Sequence, residues 1–283
     1  MVDTGLILAL LVNGIVIGGV YGLMSVGLSF TWKTINLPNS AQAAFTILAA
    51  FISYWLLVIF HVSPFLFVIP MGMLFLIGMG LRRFLFKKMR ESSAQMIFLM
   101  GYILALVLES GMTLFWGSSP TTITLSFSYV SLQILGITIP LIRLVTFIIS
   151  VAVFIFFGLF LKYTMIGKTM RAVGENRNAS TLVGINVERT SDIVAGIGAI
   201  LAGIAGPLLG MIYAFNPASQ ETWIGTIFAV VMLAGLDNIY LTLAAGILLG
   251  SLETVVALFL PSLVSYALDY IVLIAVLLVR FRK

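Results

Sequence analysis

The 283-residue chain is 61% hydrophobic and 9% charged, with 15 Lys and Arg against 10 Asp and Glu. A soluble domain carries about 25% charged residues, so this composition excludes a soluble surface and makes lipid the main solvent. There is no cysteine, which excludes disulfides, thiol catalysis and iron–sulfur ligation.

In chain order, the apolar stretches 5–32, 41–60, 64–81, 94–116, 139–161, 190–213, 222–236, 240–260 and 263–280 suit membrane helices. Crossing a bilayer takes about 20 apolar residues as a helix. The seventh stretch is short and Gly-rich, so it either spans or is re-entrant. Short loops leave no room for a soluble domain. The expected fold is all-α: a polytopic membrane protein of about eight or nine transmembrane helices in one domain over residues 1–283. The N-terminus, MVDTGLILALLVNG, has no basic n-region, so a cleaved signal peptide is not expected.

Basic residues set the orientation. One loop carries Arg82, Arg83, Lys87, Lys88 and Arg90. The stretch 162–189 carries Lys162, Lys168, Arg171, Arg177 and Arg189, and the tail carries Arg280, Arg282 and Lys283. With nine segments these regions and Lys33 share one side, and only Arg143 falls opposite. The basic side is the cytoplasm, so the N-terminus is expected outside and the C-terminus inside. Small residues recur at four-residue spacing in Gly14, Gly18 and Gly22, in Ala202, Gly206 and Gly210, and in Gly246 and Gly250. Such faces let helix backbones approach closely in lipid, and packing within one chain is the expected use.

Enzymatic motifs are missing. The sequence holds no G-x-x-x-x-G-K-[ST] nucleotide loop, no H-E-x-x-H and no G-x-S-x-G. His61, the only histidine, reads as a solvated turn residue. No catalytic group, metal site, cofactor or nucleic-acid partner is expected. Glu109, Glu253 and Asp269 fall inside predicted helices, where acids are costly and face the bundle interior or water. They read as structural anchors or as proton or cation sites.

Two polar interruptions remain. "INLPNSAQ" (35–42) places Asn36, Asn39, Ser40 and Gln42 around Pro38 between two apolar stretches. It is either an inner-face turn or a break in a helix at membrane depth. A break of that kind is tolerated only when buried in protein or facing a water-filled cavity. The longest cytoplasmic segment, 162–192, contains "MRAVGENRNASTLVGINVER". Its spacing predicts a short helix with Ala172, Ala179 and Leu182 on one face. Gly184 stops it, and Ile185 and Val187 follow as exposed apolar residues. A small apolar face on a short helix suits insertion into a groove on another protein; an ordinary solvated loop is the other reading.

"RAVGENRNASTLVGINVERT" resembles the cytoplasmic coupling segment of ATP-binding cassette importer permeases of the branched-chain amino acid class. The match falls on Arg171, Ala172, Glu175, Asn176, Ala179, Leu182, Gly184, Ile185 and Asn186. "NGIVIGGVYGLMSVGLSFTW" looks like that family's first long helix. The run from Ile204 to Glu253 looks like its C-terminal core, and "SYALDYIVLIAVLLVRF" like its last helix. Where the family has Ile-Asn-Phe-Ala-His-Gly-Glu, this chain has "INLPNSAQAAF"; where it has Leu-Gly-Gly-Ile-Gly-Ser, this chain has Leu-Ala-Gly-Leu-Asp-Asn, ending at Asn238.

The resemblance implies a permease subunit without bond chemistry of its own. It would pair with a second permease, identical or related, with two ATPase subunits and with an extracytoplasmic solute-binding protein. ATPase coupling would fall to Arg171, Glu175, Asn176, Ala179, Leu182, Gly184 and Ile185. The solute path would be lined by Asn36, Pro38, Asn39, Ser40, Gln42 and Asp237. The alternative is an ion-gradient-driven transporter using the three intramembrane acids.

Overall fold

The computed structural model describes residues 4–61, 63, 65, 67–89, 93–134, 137–236, 238–259 and 262–281. Asp237, Arg90, Arg282 and Lys283 lie outside the described residues. Eleven α-helices are present among them: α1 (Thr4–Ile35), α2 (Gln42–Phe60), α3 (Val68–Phe84), α4 (Ala94–Trp116), α5 (Leu141–Tyr163), α6 (Met165–Glu175), α7 (Arg177–Leu182), α8 (Val187–Ile212), α9 (Ser219–Ala234), α10 (Ile239–Phe259) and α11 (Ser262–Phe281). Each apolar stretch of the sequence forms one helix. Six are long and apolar enough to cross a membrane: α1, α2, α4, α5, α8 and α10. Of the remainder, α3 has 17 residues, α9 has 16, and the apolar part of α11 runs over Ala267–Val279. At 1.5 Å per residue α9 is only about 24 Å long, short of a hydrocarbon core about 30 Å thick.

The fold is not helical throughout. Ser131–Ile134 (β1) pairs antiparallel with Ile137–Pro140 (β2), and Pro140 leads directly into α5. The hairpin went unread because "SLQILGITIP" adjoins the apolar run of α5. The loop before it is tied down by Thr121, which bridges to Phe215, and by the Ile123 amide, which donates to the Gly210 carbonyl at 2.9 Å.

α1 and α8 form the centre. α1 is buried from Val16 through Thr31, and α8 is buried along most of its length against α1, α2 and α3. The glycines of α1 face those of α10 in antiparallel register: Gly14 meets Gly250 and Ser251, Gly18 meets Gly246 and Ile247, and Gly22 meets Thr242 and Leu243. Gly206 of α8 lies against Thr46 and Ala49 of α2. The small-residue faces therefore pack within the chain, as their spacing suggests. His61 ends α2 with φ 52° and is exposed.

Candidate functional site

The stretch between α1 and α2 is irregular but buried. Asn36, with φ 53°, is exposed, whereas Leu37 through Gln42 are buried. Each polar side chain of the buried part meets a backbone group. Ser40 Oγ donates to the Phe98 carbonyl of α4 at 2.7 Å, and Gln42 Nε2 donates to the Gly198 carbonyl of α8 at 3.2 Å. Asn39 Oδ1 accepts from the Ala41 amide at 3.2 Å. Glycines make these approaches possible: a Cβ at Gly101 would sit 2.5 Å from Ser40 Oγ, and one at Gly27 2.4 Å from Gln42 Nε2. The interruption is thus pinned from two sides. Asn39 and Gln42 line a gap of about 10 Å³ beside Arg82, about the space of one water and too small for a solute.

The segment 164–186 is two short helices, not one. Asn176 takes an extended backbone, with φ −153° and ψ 103°, and its Oδ1 accepts the Ala179 amide at 2.9 Å. It ends α6 and caps α7, because Asn is a preferred N-cap that competes with helix continuation. Ala172 consequently lies on α6, apart from Ala179 and Leu182 on α7. Gly184 has φ 82°. Its amide donates to the Thr181 carbonyl and the Ile185 amide to the Ser180 carbonyl, the paired bonds of a Schellman stop. Arg171, Glu175, Asn176, Ala179 and Gly184 are exposed, and Ile185 is half-buried. Leu182 is 89% exposed and Val183 76%, so the tip of α7 presents bare aliphatic surface.

A charge cluster that the sequence did not single out braces this tip. Arg82, 7% exposed at its side chain, reaches from α3 to Asp192 Oδ1 at 2.5 Å and to Glu188 Oε2 at 3.1 Å. The same guanidinium donates to the Glu188 backbone carbonyl. Glu188 also takes Arg177 Nη2 at 2.8 Å and Lys87 Nζ at 3.8 Å. The α7 base is thereby tied to α3 and to the start of α8. In the sequence Arg82 reads only as a loop cation; its place four residues after Gly78, on the same face of α3, is the one signal of burial.

Across residues 10–279 the chain matches the family model of the branched-chain amino acid transport system permease component. The chain belongs to this permease family. Similar curated proteins include the high-affinity branched-chain amino acid transport system permease LivH of Salmonella typhimurium, 23% identical over 94% of this chain and 91% of the relative. The probable LivH of Methanocaldococcus jannaschii is 27% identical over 89% and 82%. BraD of Pseudomonas aeruginosa is 24% identical over 86% and 84%. No solved structure matches. These relatives are transport permease components rather than enzymes, and the permease is a multi-pass membrane protein.

The three acids of this permease are not isolated. Tyr21 of α1 donates to Glu253 Oε2 of α10 at 2.7 Å, and its hydroxyl lies 3.2 Å from that of Tyr213. Thr226 of α9 donates to Asp269 Oδ2 of α11. Trp223 packs on both tyrosines, with ring centroids 5.7 and 5.2 Å away. Glu109 of α4 accepts from Gln220 Nε2 of α9 at 2.9 Å. All three acids thus join helices that are remote in sequence, a use that sequence spacing could not reveal.

Proposed function

We propose that this permease is the membrane-spanning subunit of an ATP-binding cassette importer for small polar solutes, amino acids or related compounds. It pairs with a second permease copy or relative, receives solute from an extracytoplasmic binding protein, and rests on two ATPase subunits. The observation that carries this reading is the braced, exposed apolar tip of α7. A short helix ending in Leu182 and Val183 is a peg for a groove on another subunit. Its ties through Arg177, Glu188 and Arg82 would transmit movement to α3 and α8. Energising conditions test the reading. Uptake should persist with an uncoupler while ATP is maintained, and should stop when ATP is depleted. Uptake that tracks the ion gradient instead favours transport through the Tyr21–Glu253–Asp269 cluster, the second reading.

The proposed orientation takes nine crossings, with α3, α9 and α11 completing the six long spans and basic residues on the inner side; α9, about 24 Å long, crosses where the bilayer thins locally, and a re-entrant α9 would break this orientation. The N-terminus is outside, the C-terminus is cytoplasmic, and the whole chain is one permease domain. Thr122 and Asn178 are both exposed, and the absence of cysteine permits single-cysteine labelling. An impermeant thiol reagent on intact cells should label cysteine at 122 and spare cysteine at 178. Labelling at 178 alone would reverse the orientation.

The stretch 36–42 forms the inner part of the solute path; Asp237, read as a path residue from the sequence, lies outside the described residues. Asn36 faces the path, and Pro38, Asn39, Ser40 and Gln42 hold the break against α4 and α8. With neutral side chains where the family has His and Glu, the path holds a charged solute weakly, and the binding protein sets most of the specificity. Asn39→Leu with Gln42→Leu should slow uptake roughly thirtyfold, since each removes a buried hydrogen bond worth about 1 kcal/mol. Solute binding to the delivery protein should not change. Undiminished uptake would remove this stretch from the path.

A further inference from the structure

Arg82 stands between the α7 tip and the buried break at 36–42. Its Nη1 reaches Asp192 and Glu188 at the start of α8, and Glu188 Oε1 accepts from Arg177 Nη2 of α7 at 2.8 Å. Arg82 also lines the gap of about 10 Å³, together with Asn39 and Gln42 of the break, Gly78 of α3 and Ala195 of α8. A gap the size of about one water keeps the groups around it within reach of a direct or water-bridged hydrogen bond. Arg82, Asn39 and Gln42 are 6%, 9% and 2% exposed, and polar groups buried to that degree are held by hydrogen bonds. A planar fork of five N–H donors lets one side chain serve the acids and the gap at once.

The frame around Arg82 is tight. A Cβ at Gly78 would lie 2.7 Å from the Ala199 Cβ and 2.9 Å from the Ala195 carbonyl oxygen. α3 and α8 therefore touch closely beside the gap, and sliding between them absorbs little of a push from α7. Gln42 Nε2 holds the Gly198 carbonyl, six residues after Asp192 on α8, or about 9 Å along the helix. Arg82 and Gln42 thus grip the same helix within two turns. We propose that Arg82 is the positioning residue that transmits movement of the α7 tip, through Arg177 and Glu188, to Asn39 and Gln42 of the break. The inference rests on the reading that an ATPase docks on the tip and that solute passes the break.

The test uses the full-length permease purified with its ATPase and carrying Asn36→Cys, in a chain that otherwise has no cysteine. Asn36 is exposed at the edge of the break. Trapping the ATPase with ATP and orthovanadate should change the rate of thiol labelling at 36 roughly tenfold, a typical coupling between two sites. Arg82→Lys keeps a charge for the acids but loses the fork. It should retain ATPase recovery and a monodisperse peak while the nucleotide-dependent change falls to about twofold or less, a loss within the range for residues between coupled sites. Gln42→Leu should act alike from the other end, and the double variant should lose no more than either single one. Arg83→Lys, at an exposed neighbour, should leave the change intact. A full change in either Arg82→Lys or Gln42→Leu would overturn the relay, as would an unchanged rate at 36 in the native background with the ATPase bound. Failure to recover any ATPase with Arg82 in place would instead remove the docking reading, and the relay with it.

Discussion

Gly18→Val should leave no folded permease to extract from the membrane. A Cβ at Gly18 would lie 2.4 Å from the Ile247 Cα and 2.5 Å from the Gly246 carbonyl oxygen. Both neighbours are backbone, so no rotamer change relieves the contact, and α1 and α10 would have to separate along their shared face. Overpacking in a core typically costs about 1–3 kcal/mol, occasionally more, and valine adds two further methyl groups to the clash. In lipid, close backbone packing is itself a main source of helix association, so the loss compounds. Gly246→Val should behave alike, because its Cβ would meet the Gly22 amide nitrogen at 2.4 Å. Gly80→Val in α3, with nothing within 4 Å, is the control and should give a normal monodisperse peak on size exclusion. A normal peak for Gly18→Val as well would mean that α1 and α10 do not pack in this register.

Arg82→Ala should be the most destabilising change on the cytoplasmic side. It strands Asp192, 16% exposed, without its partner, while Glu188 keeps Arg177 and Lys87. Removing one member of a buried pair costs about 3–5 kcal/mol, because the remaining charge stays buried. Asp192→Asn should cost less, since the guanidinium retains Glu188 and its carbonyl. The double change Arg82→Met with Asp192→Leu should recover part of the loss, as apolar replacements of buried pairs often do. Thermal unfolding in detergent reads all three. A double variant no more stable than Arg82→Ala would contradict the pairing of the two side chains.

The membrane helices were legible because lipid imposes a length and an apolarity that sequence displays directly. The stretch 94–116 became Ala94–Trp116 without adjustment, and 41–60 became Gln42–Phe60. The glycine stop at Gly184 was legible for a similar reason, since φ 82° is a local demand. What stayed hidden was long-range or competitive. Arg82 and Asp192 are 110 residues apart, and a positive-inside count treats them only as charges. Tyr21 and Glu253 are 232 residues apart, so Glu253 looked isolated. Asn176 was hidden in another way: its helix-breaking backbone depends on the side chain winning the Ala179 amide, a competition that apolar spacing does not register. At 35–42 the polar residues drew notice, but their partners, the carbonyls of Phe98 and Gly198, carry no sequence signature.

The coupling of the α7 tip to an ATPase is the claim on which the proposed function turns, and a mild-detergent pull-down of tagged permease tests it. The native chain should bring down a nucleotide-loop ATPase in stoichiometric amount. Leu182→Asp places a charge on the most exposed apolar residue of the tip. Gly184→Val forces a β-branched side chain into a left-handed backbone that it adopts at a cost of about 1–2 kcal/mol. Each should cut ATPase recovery at least tenfold while membrane insertion and the monodisperse peak are retained. Full ATPase recovery with both variants, or no ATPase with the native chain, would contradict the account.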